Sequence, residues 1–201
     1  MRRAIWITGV PASGKTVLGE RLVALIRKEL ATPCAMVDAN VIRNQFWPHL
    51  GLSPEDRVVN VNGMAELAGV FIRAGNDVVV ACIAPDRRIR NQALGLIRVS
   101  AENVAVHQVH VMAPLEVLER RDQKGLYRAL RDGKLAGLTG VDAPYEPPFS
   151  DEALCIDTSK LAVGDAAQEV LQYVRQASPH PWPEVRRHVQ GALYQSSVNG
   201  A

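Results

Sequence analysis

The sequence predicts an α/β fold: a three-layer α/β/α domain built on a mainly parallel sheet of five strands. Short runs rich in β-branched residues alternate with longer segments of helical period along most of the chain. The continuous apolar run DVVVACI, residues 77–83, is typical of a strand buried on both faces. A glycine-rich stretch separates the first strand from the first helix. These three observations predict a parallel sheet covered by helices on both faces.

Each element follows from its own local pattern. AIWIT, at 4–8, is a short apolar strand, and the glycine-rich stretch leads from it into a helix at 14–31. The second strand, 34–38, ends in an aspartate, and helical period returns at 55–74. The second half continues the alternation, with strands at 77–83, 104–112 and 153–157 and helices at 87–100, 114–132 and 160–176.

Residues 125–148 depart from this alternation. They are rich in Gly, Pro, Arg and Lys and lack a clear apolar stripe, which indicates a mobile, functional loop. We predict one domain over 1–176 with a lid segment at about 120–148. The stretch ASPHPWPEV carries three prolines, so 177–201 is predicted to be a linker with a short peripheral helix and tail.

The composition limits the classes of partner. The 201 residues are 47% hydrophobic and 22% charged with a net charge of +2, which indicates a globular protein without a nucleic-acid or membrane partner. No apolar run reaches the roughly 18 residues of a membrane helix, and no signal peptide precedes the first strand, so we expect a cytoplasmic protein. Cys34, Cys82 and Cys155 are expected to be reduced core thiols.

The glycine-rich stretch matches the phosphate-binding pattern G-x-x-x-x-G-K-[ST], in the required place between a strand and a helix. Backbone N–H groups of such a loop and the N-terminus of its helix bind phosphate oxygens. The lysine reaches the outer phosphates and the threonine hydroxyl ligates Mg²⁺. The pattern therefore predicts ATP and Mg²⁺ as ligands. The predicted binding residues are Gly9, Ala12, Ser13, Gly14, Lys15 and Thr16.

Asp38 ends the second predicted strand. The carboxyl ends of parallel strands line the ligand crevice of open α/β sheets, so this carboxylate is predicted to lie beside the phosphate loop, residues 9–16. We predict that Asp38 acts on the metal or the acceptor hydroxyl. The alternative is a solvated aspartate in a turn. A guanine-reading [NT]-K-x-D stretch does not occur in the sequence, which argues against a GTPase.

Two further stretches are more specific than the phosphate loop. They are GLSPEDRVVNV, residues 51–61, and RDQKGLYRALRDGKLAGLTGVDAPYEPP, residues 121–148. With the phosphate loop they closely resemble the adenylylsulfate (APS) kinases over about 4–176. The resemblance implies a P-loop kinase that transfers the γ-phosphate of ATP to the ribose 3′-hydroxyl of APS, giving PAPS. A homodimer of this protein is also consistent with the resemblance.

The resemblance implies roles for residues along the whole site. Lys124 would contact phosphate from the lid segment, and Asn40 would orient the acceptor hydroxyl. Arg121 and Thr158 would lie on the ATP side, the latter near adenine, with capping of the last helix by Thr158 or Ser159 as the alternative. The residues implied on the acceptor side are Arg43, Leu52, Arg57, Asn60, Ile83, Ala84, Pro85, Leu138 and Thr139. For Arg43 and Arg57 the alternative is a surface pairing on a helix.

The strand-end stretch ACIAPDRRIR, residues 81–90, resembles the substrate loop of the family. Pro85 and Arg87 match the usual Ser-Pro-Phe-Arg, whereas Ala84 and Asp86 do not. For the next two arginines, 88 and 90, the alternative is that they form a solvated helix face.

Three departures from the family concern the acceptor. Asn40 replaces a second aspartate, and an amide cannot act as a general base. Leu52 and Leu138 replace two phenylalanines that stack on the acceptor base. Asn62 and Gly63 replace paired arginines. Phosphorylation of another 5′-modified nucleotide, such as a cytidine diphosphoramidate, is therefore the first alternative. A non-catalytic ATP-binding module is the second.

Overall fold

The computed structural model describes residues 1–51 and 53–176. Within them, five strands form one sheet: β1 (Arg2–Thr8), β2 (Cys34–Asp38), β3 (Asp77–Ala81), β4 (Val104–Met112) and β5 (Leu154–Asp157). The helices are α1 (Lys15–Glu29), α2 (Ala39–Phe46), α3 (Pro54–Arg73), α4 (Arg87–Ser100), α5 (Leu115–Arg120), α6 (Leu126–Arg131) and α7 (Val163–Gln176).

The sheet confirms the predicted α/β class. Its strand order is β2-β3-β1-β4-β5, and every neighbouring pair is parallel. Because β1 lies at the centre, the loop that follows it opens between the carboxyl ends of β3 and β4. Ligands bind at this edge in open α/β sheets, so the topology gives the phosphate loop a central position.

Each face of the sheet carries its own hydrophobic core. On one side Trp6 of β1 packs with Met64 of α3 and Leu94 of α4. On the other side Ile7 of β1 packs with residues of α1 and α7, including Val170. β3 is buried along its whole length, as its apolar run predicts. Burial of both faces removes a large apolar area from water and stabilises the sheet.

Helix α2 was not predicted. It is only eight residues long and none of its side chains is fully buried, so its apolar pattern is too short for a sequence-based assignment. Asp38 begins it instead: one carboxylate oxygen accepts the N–H groups of Asn40, at 2.8 Å, and Val41, at 3.3 Å. A local cap therefore begins this helix where the apolar pattern is too short to identify it.

The single helix predicted at 114–132 is wrong. The chain forms α5 and α6, separated by a turn in which Gly125 has the left-handed φ of 67°. The carboxylate of Asp122 accepts the N–H groups of Leu126 and Tyr127, both at 2.8 Å. These bonds start a new helix and reorient the chain.

Smaller differences lie at element ends and among the cysteines. β1 begins at Arg2, which pairs with Val104 of β4, and the N–H and guanidinium of Arg3 also donate to the carboxylate of Asp77 at 2.9 and 3.0 Å. Burial raises the pKa of Cys34 to about 12 and that of Cys82 to about 11, as expected of core thiols. Cys155 is exposed on the edge strand β5, so the core prediction is wrong for it.

The predicted linker, helix and tail at 177–201 lie outside the described residues. In the part of the chain that the structure describes, no helix has the length and apolar character needed to cross a membrane.

Candidate active site

The phosphate loop joins β1 to α1. A Cβ at Gly9 would lie 2.2 Å from the carbonyl oxygen of Val111, so only glycine allows this close approach of two backbones. Gly14 begins α1 with a left-handed φ of 96°. Ala12 has a left-handed φ of 59°, and Ser13 is fully buried. The backbone therefore folds into a tight loop whose N–H groups precede a helix N-terminus.

Lys15 folds back over this loop. Its ammonium donates to the carbonyl oxygen of Val10 at 2.7 Å and lies 3.4 Å from the hydroxyl of Ser13. Burial lowers the pKa of Lys15 to about 8, Cys82 and Asp38 oppose this shift, and Lys124 adds to it. The ammonium is thus mostly charged at neutral pH, and phosphate groups beside it would raise its pKa again.

Thr16 and Asp38 connect the phosphate loop to the end of β2. The Thr16 hydroxyl donates to a carboxylate oxygen of Asp38 at 2.6 Å. Asp38 is only 7% exposed, so the alternative of a solvated turn residue is wrong. A hydroxyl and a carboxylate are hard oxygen ligands that suit Mg²⁺. The described residues contain no cluster of three His, Cys, Asp or Glu side chains, so phosphates and water would supply the other ligands.

Arg121 and Thr158 contact each other beside the phosphate loop, and their place on the ATP side stays a prediction. Arg121 donates to the hydroxyl and the carbonyl oxygen of Thr158, both at 2.8 Å. The same hydroxyl lies 3.0 Å from the carbonyl oxygen of Ser13. Helix α7 begins only at Val163, and the Ser159 hydroxyl bonds the neighbouring Asp157, so neither residue caps that helix.

The lid segment packs on the outer face of the phosphate loop. The Tyr127 hydroxyl donates to the carbonyl oxygen of Pro11 at 3.0 Å. Tyr127 and Leu138 form an apolar cluster with Leu118, and Val10 of the phosphate loop packs against it. Burial, and then nearby Asp122 and Glu119, raise the pKa of Tyr127 to about 12, so the phenol remains a donor. No apolar stripe marks this cluster in the sequence, because it joins residues far apart in the chain.

Lys124 precedes the turn into α6. Its side chain is exposed, yet it lies near enough to Lys15 to lower the pKa of that ammonium. Two lysines therefore approach the same region, one from the phosphate loop and one from the lid segment. Such a pair suits a polyanion, whose charge would offset their mutual repulsion.

On the acceptor side, Arg57 of α3 reaches the lid segment. Its guanidinium donates to the Thr139 hydroxyl at 2.9 Å and lies 3.5 Å from the carbonyl oxygen of Gly137. Both contacts run to the lid segment and not along its own helix. Leu138 lies between these two partners and is 5% exposed, with its side chain in the apolar cluster of the lid. Its predicted place against an acceptor base stays a prediction.

Helices α2 and α3 carry three more residues predicted to contact the acceptor: Arg43, Asn60 and Asn40. Arg43 donates to the carbonyl oxygen of Gly51, while its Nε is buried without a protein partner. Asn60 is 8% exposed, and its side-chain oxygen likewise has no protein partner. Asn40 is exposed in the first turn of α2. The predicted contact at Leu52 lies outside the described residues.

Residues 83–85 are hereafter called the acceptor loop, although their contact with the acceptor stays a prediction. All three of their carbonyl oxygens are bonded. The Thr8 hydroxyl donates to Ile83 at 2.6 Å. The Arg90 guanidinium donates to Ala84 at 2.6 Å, and the N–H of Glu146 donates to Pro85 at 2.9 Å.

Arg90, which bonds this loop, was not singled out by the sequence pattern. It is 0% exposed, so a solvated helix face is wrong for it, whereas Arg88 is exposed. A signal existed: Arg90 shares the i, i+3, i+4, i+7 spacing of the buried residues Ala93, Leu94 and Ile97 of α4.

Comparison with known proteins agrees with this geometry. The adenylylsulphate kinase family model matches residues 1–156. A probable adenylyl-sulfate kinase of Halalkalibacterium halodurans is 35% identical over 170 residues, covering 85% of this chain and 81% of that protein. An adenylyl-sulfate kinase of Gloeothece citriformis is 38% identical over 151 residues, covering 75% of this chain and 82% of that protein.

A solved structure extends the likeness to the fold. The Mycobacterium tuberculosis APS kinase in complex with AMPPNP and APS superposes with a TM-score of 0.79 at 27% identity, covering 87% of this chain and 98% of that one. A buried phosphate loop, a strand-end carboxylate and a lid segment thus occur together in a chain that the family model matches over most of its length. The chain is a nucleotide-binding phosphotransferase that belongs to the adenylylsulphate kinase family.

Proposed function

We propose that this protein transfers the γ-phosphate of ATP to the ribose 3′-hydroxyl of adenosine 5′-phosphosulfate, giving PAPS and ADP. The observation that carries the proposal is the 2.6 Å bond between Thr16 and Asp38, which joins the phosphate loop to the strand-end carboxylate. The Mycobacterium tuberculosis relative, solved with AMPPNP and APS, supports both substrates.

The reaction forms one bond and breaks one. The 3′-oxygen of the acceptor bonds the γ-phosphorus, and the bond from that phosphorus to the oxygen bridging it to ADP breaks. Because the transition state is loose, positioning and charge stabilisation carry most of the catalysis. In this proposal the Lys15 ammonium binds the outer phosphates from the loop side, and Lys124 adds charge from the lid segment.

Asp38 and Thr16 would hold Mg²⁺, which when bound neutralises phosphate charge and orients the phosphates. The carboxylate has a second function that involves only protein atoms, since its other oxygen caps α2. The start of α2, and with it Asn40, is therefore fixed relative to Thr16. We propose that Asn40 orients the 3′-hydroxyl, whose proton leaves to water or to the transferred phosphate because an amide cannot accept it.

In this proposal, the phosphosulfate of the acceptor is bound by Arg43, Arg57 and Asn60. A planar guanidinium can bind two oxygens of a phosphosulfate at once. The bond from Arg57 to Thr139 ties this anion-binding side to the lid segment. The same segment would exclude water from the γ-phosphate, so that ATP is not simply hydrolysed.

The direct test is a mass-spectrometric assay with Mg·ATP, APS and a panel of other 5′-modified nucleotides. We expect a phosphorylated APS product with one ADP for each product molecule. Lys15→Met serves as the control that removes phosphate binding by the loop. ADP release without a phosphorylated acceptor, or binding of ATP with no turnover at all, would contradict the proposal.

The departures on the acceptor side support a second candidate. Asn40, Leu138 and the Asn62–Gly63 pair all differ from the family pattern. Turnover of a different 5′-modified nucleotide, with APS left unchanged, would identify this alternative. Pairing as a homodimer stays a prediction, which the mass of the protein in solution tests.

A further inference from the structure

Arg90 is a buried cation whose guanidinium contacts two carbonyl oxygens from separate parts of the chain. It donates to Ala84 of the acceptor loop at 2.6 Å and to Glu146 at 2.8 Å. Burying a guanidinium is costly, and here two of its nitrogens bond carbonyl oxygens, which do not neutralise the charge, while its Nε is buried without a protein partner. A residue needed only to fill space at this position of α4 would be apolar.

The acceptor loop requires such support because its backbone is strained. Ala84 has a φ of 39°, a left-handed conformation that residues with a Cβ rarely adopt. Its side chain is 1% exposed, so the loop cannot relax outward without losing buried contacts. The short bond from Arg90 holds the carbonyl group of this residue in place. Strain of this kind persists only where the surroundings over-determine it.

The second partner belongs to residues 145–149, hereafter the strap, which ends the lid segment and continues one residue beyond it. Besides the bond to Arg90, Glu146 donates its N–H to Pro85 and accepts the N–H of Arg87 at 3.0 Å on its side chain. Arg87 also donates to Pro147 and lies 3.7 Å over the ring of Phe149. The strap is thus attached to the start of α4 along its length.

Tyr145 fixes the strap to the sheet itself. Its hydroxyl lies 3.1 Å from that of Thr8 at the end of β1. Its ring stacks on His110 of β4 with centroids 5.7 Å apart, and the Arg90 guanidinium lies 5.9 Å from its centroid. The C-terminal end of the lid segment therefore rests on the edge of the sheet, directly beside the acceptor loop.

We infer that Arg90 is a positioning residue, which locks the acceptor loop and the strap into one rigid unit. The inference rests on the proposed function, because it assigns residues 83–85 to the acceptor. When the lid segment closes, the part from Lys124 to Thr139 moves, and the strap stays fixed to the sheet. Loss of Arg90 disorders the acceptor loop and the anchored end of the lid segment together, and leaves the phosphate loop intact.

The first test measures hydrogen exchange and does not depend on the acceptor. In Arg90→Met, amides of 83–86 and 145–149 are expected to exchange at least about tenfold faster, while those of 9–16 keep their wild-type rates. Arg88→Met removes an exposed arginine of the same helix and is the matched control. It is expected to leave the exchange rates of the acceptor loop and the strap unchanged. Unchanged exchange of the strap, or equal acceleration in the phosphate loop, would overturn the inference.

The second test measures steady-state kinetics with APS. Arg90→Met is expected to raise KM for APS by about ten- to a hundredfold, with KM for ATP within about twofold of wild type. Arg90→Lys keeps the charge but offers a single donor group, so its KM for APS should lie between those of wild type and Arg90→Met. Equal increases of both KM values would indicate general destabilisation and contradict a positioning role.

Two variants keep these tests decisive. If Arg90→Met does not fold, Arg90→Lys is carried through both measurements. Adding Ala84→Gly to an Arg90 variant removes the strain that Arg90 opposes, and is expected to restore slow exchange in part. If wild-type protein does not phosphorylate APS, the proposed function fails, whereas the exchange result still supports or overturns the link between acceptor loop and strap.

Discussion

The two sides of the site differ in how their buried polar groups are satisfied. On the ATP side, Lys15, Thr16 and Thr158 all bond to protein atoms. On the predicted acceptor side, buried polar atoms of Arg43, Asn60 and Asn62 have no protein partner. Buried polar groups are costly without hydrogen bonds, so those of the acceptor side are the ones suited to a ligand.

This difference agrees with the departures from the family pattern, which all lie on the predicted acceptor side. The ATP side is organised by bonds within the protein, and a change there breaks several of them together. On the predicted acceptor side, α2 and α3 carry side chains with buried polar atoms that have no protein partner. Substitutions such as Asn40 and Gly63 can therefore accumulate there without disturbing the phosphate loop.

The largest expected effect is that of Asp38→Asn, which tests whether the ATP side acts as a unit. Asparagine still caps α2, so the free energy of unfolding should change little. The loss of the carboxylate charge is expected to lower kcat on the order of 10²–10³-fold, with saturation moved to higher Mg²⁺ concentration. Titration of kcat with Mg²⁺ and a parallel denaturant curve measure both quantities. Wild-type kcat in a folded variant would show that Asp38 only caps the helix.

The next effect tests the packing behind the acceptor side. A Cβ at Gly63 would lie 2.3 Å from the indole ring of Trp47, so Gly63→Ala must displace that ring or helix α2. We expect a loss of about 1–3 kcal/mol in the free energy of unfolding, with a higher KM for the acceptor.

Gly95→Ala provides the matched control for that experiment, because nothing lies within 4 Å of its added Cβ. Alanine is the better helix former, so this variant should gain about 0.5–1 kcal/mol. Equal stability changes in the two variants would show that Trp47 does not pack on Gly63 in solution. Denaturant unfolding of both proteins measures the difference.

A smaller effect concerns pH and the ATP side alone. Because the pKa of Lys15 is about 8, we expect kcat/KM for ATP to fall by up to about tenfold per pH unit above that value. Lys15→Arg stays charged over this range, so its profile should lack this fall. Initial rates between about pH 6.5 and pH 9.5 measure the profile. A fall at the same pH in Lys15→Arg would assign the titration to another group.

The same ionisation affects stability with a definite sign. The folded pKa of Lys15 lies below the ordinary value of 10.5, so between about 8 and 10.5 the unfolded chain binds more protons. The contribution of Lys15 to the free energy of unfolding therefore rises with pH across that window.

The smallest effect separates orientation from base catalysis at Asn40. If positioning carries the reaction, Asn40→Asp should change kcat with APS by less than about tenfold. An increase of about 10²-fold or more would show instead that the wild-type protein lacks a needed general base. Single-turnover measurements with APS distinguish these outcomes, and KM for ATP should stay constant as the internal control.

Local patterns predicted the strands and the phosphate loop because both depend on residues that are adjacent in the chain. The apolar run of β3 and the strand-loop-helix setting of Lys15 are of this kind. Helix α2 was not predicted because it is only eight residues long and begins at a single capping carboxylate. The break between α5 and α6 was not predicted because it depends on the carboxylate of Asp122, which accepts backbone N–H groups four and five residues later.

The sequence by itself determined the fold class, the family and the chemistry of the phosphate loop. Only the tertiary structure showed that Arg90 is buried between Ala84 and Glu146, that Tyr127 holds the lid segment on Pro11, and that Arg57 reaches Thr139. The physical reason is chain separation. Helical period and turn chemistry report bonds between near neighbours, whereas these contacts exist only after the sheet has brought distant loops to one edge.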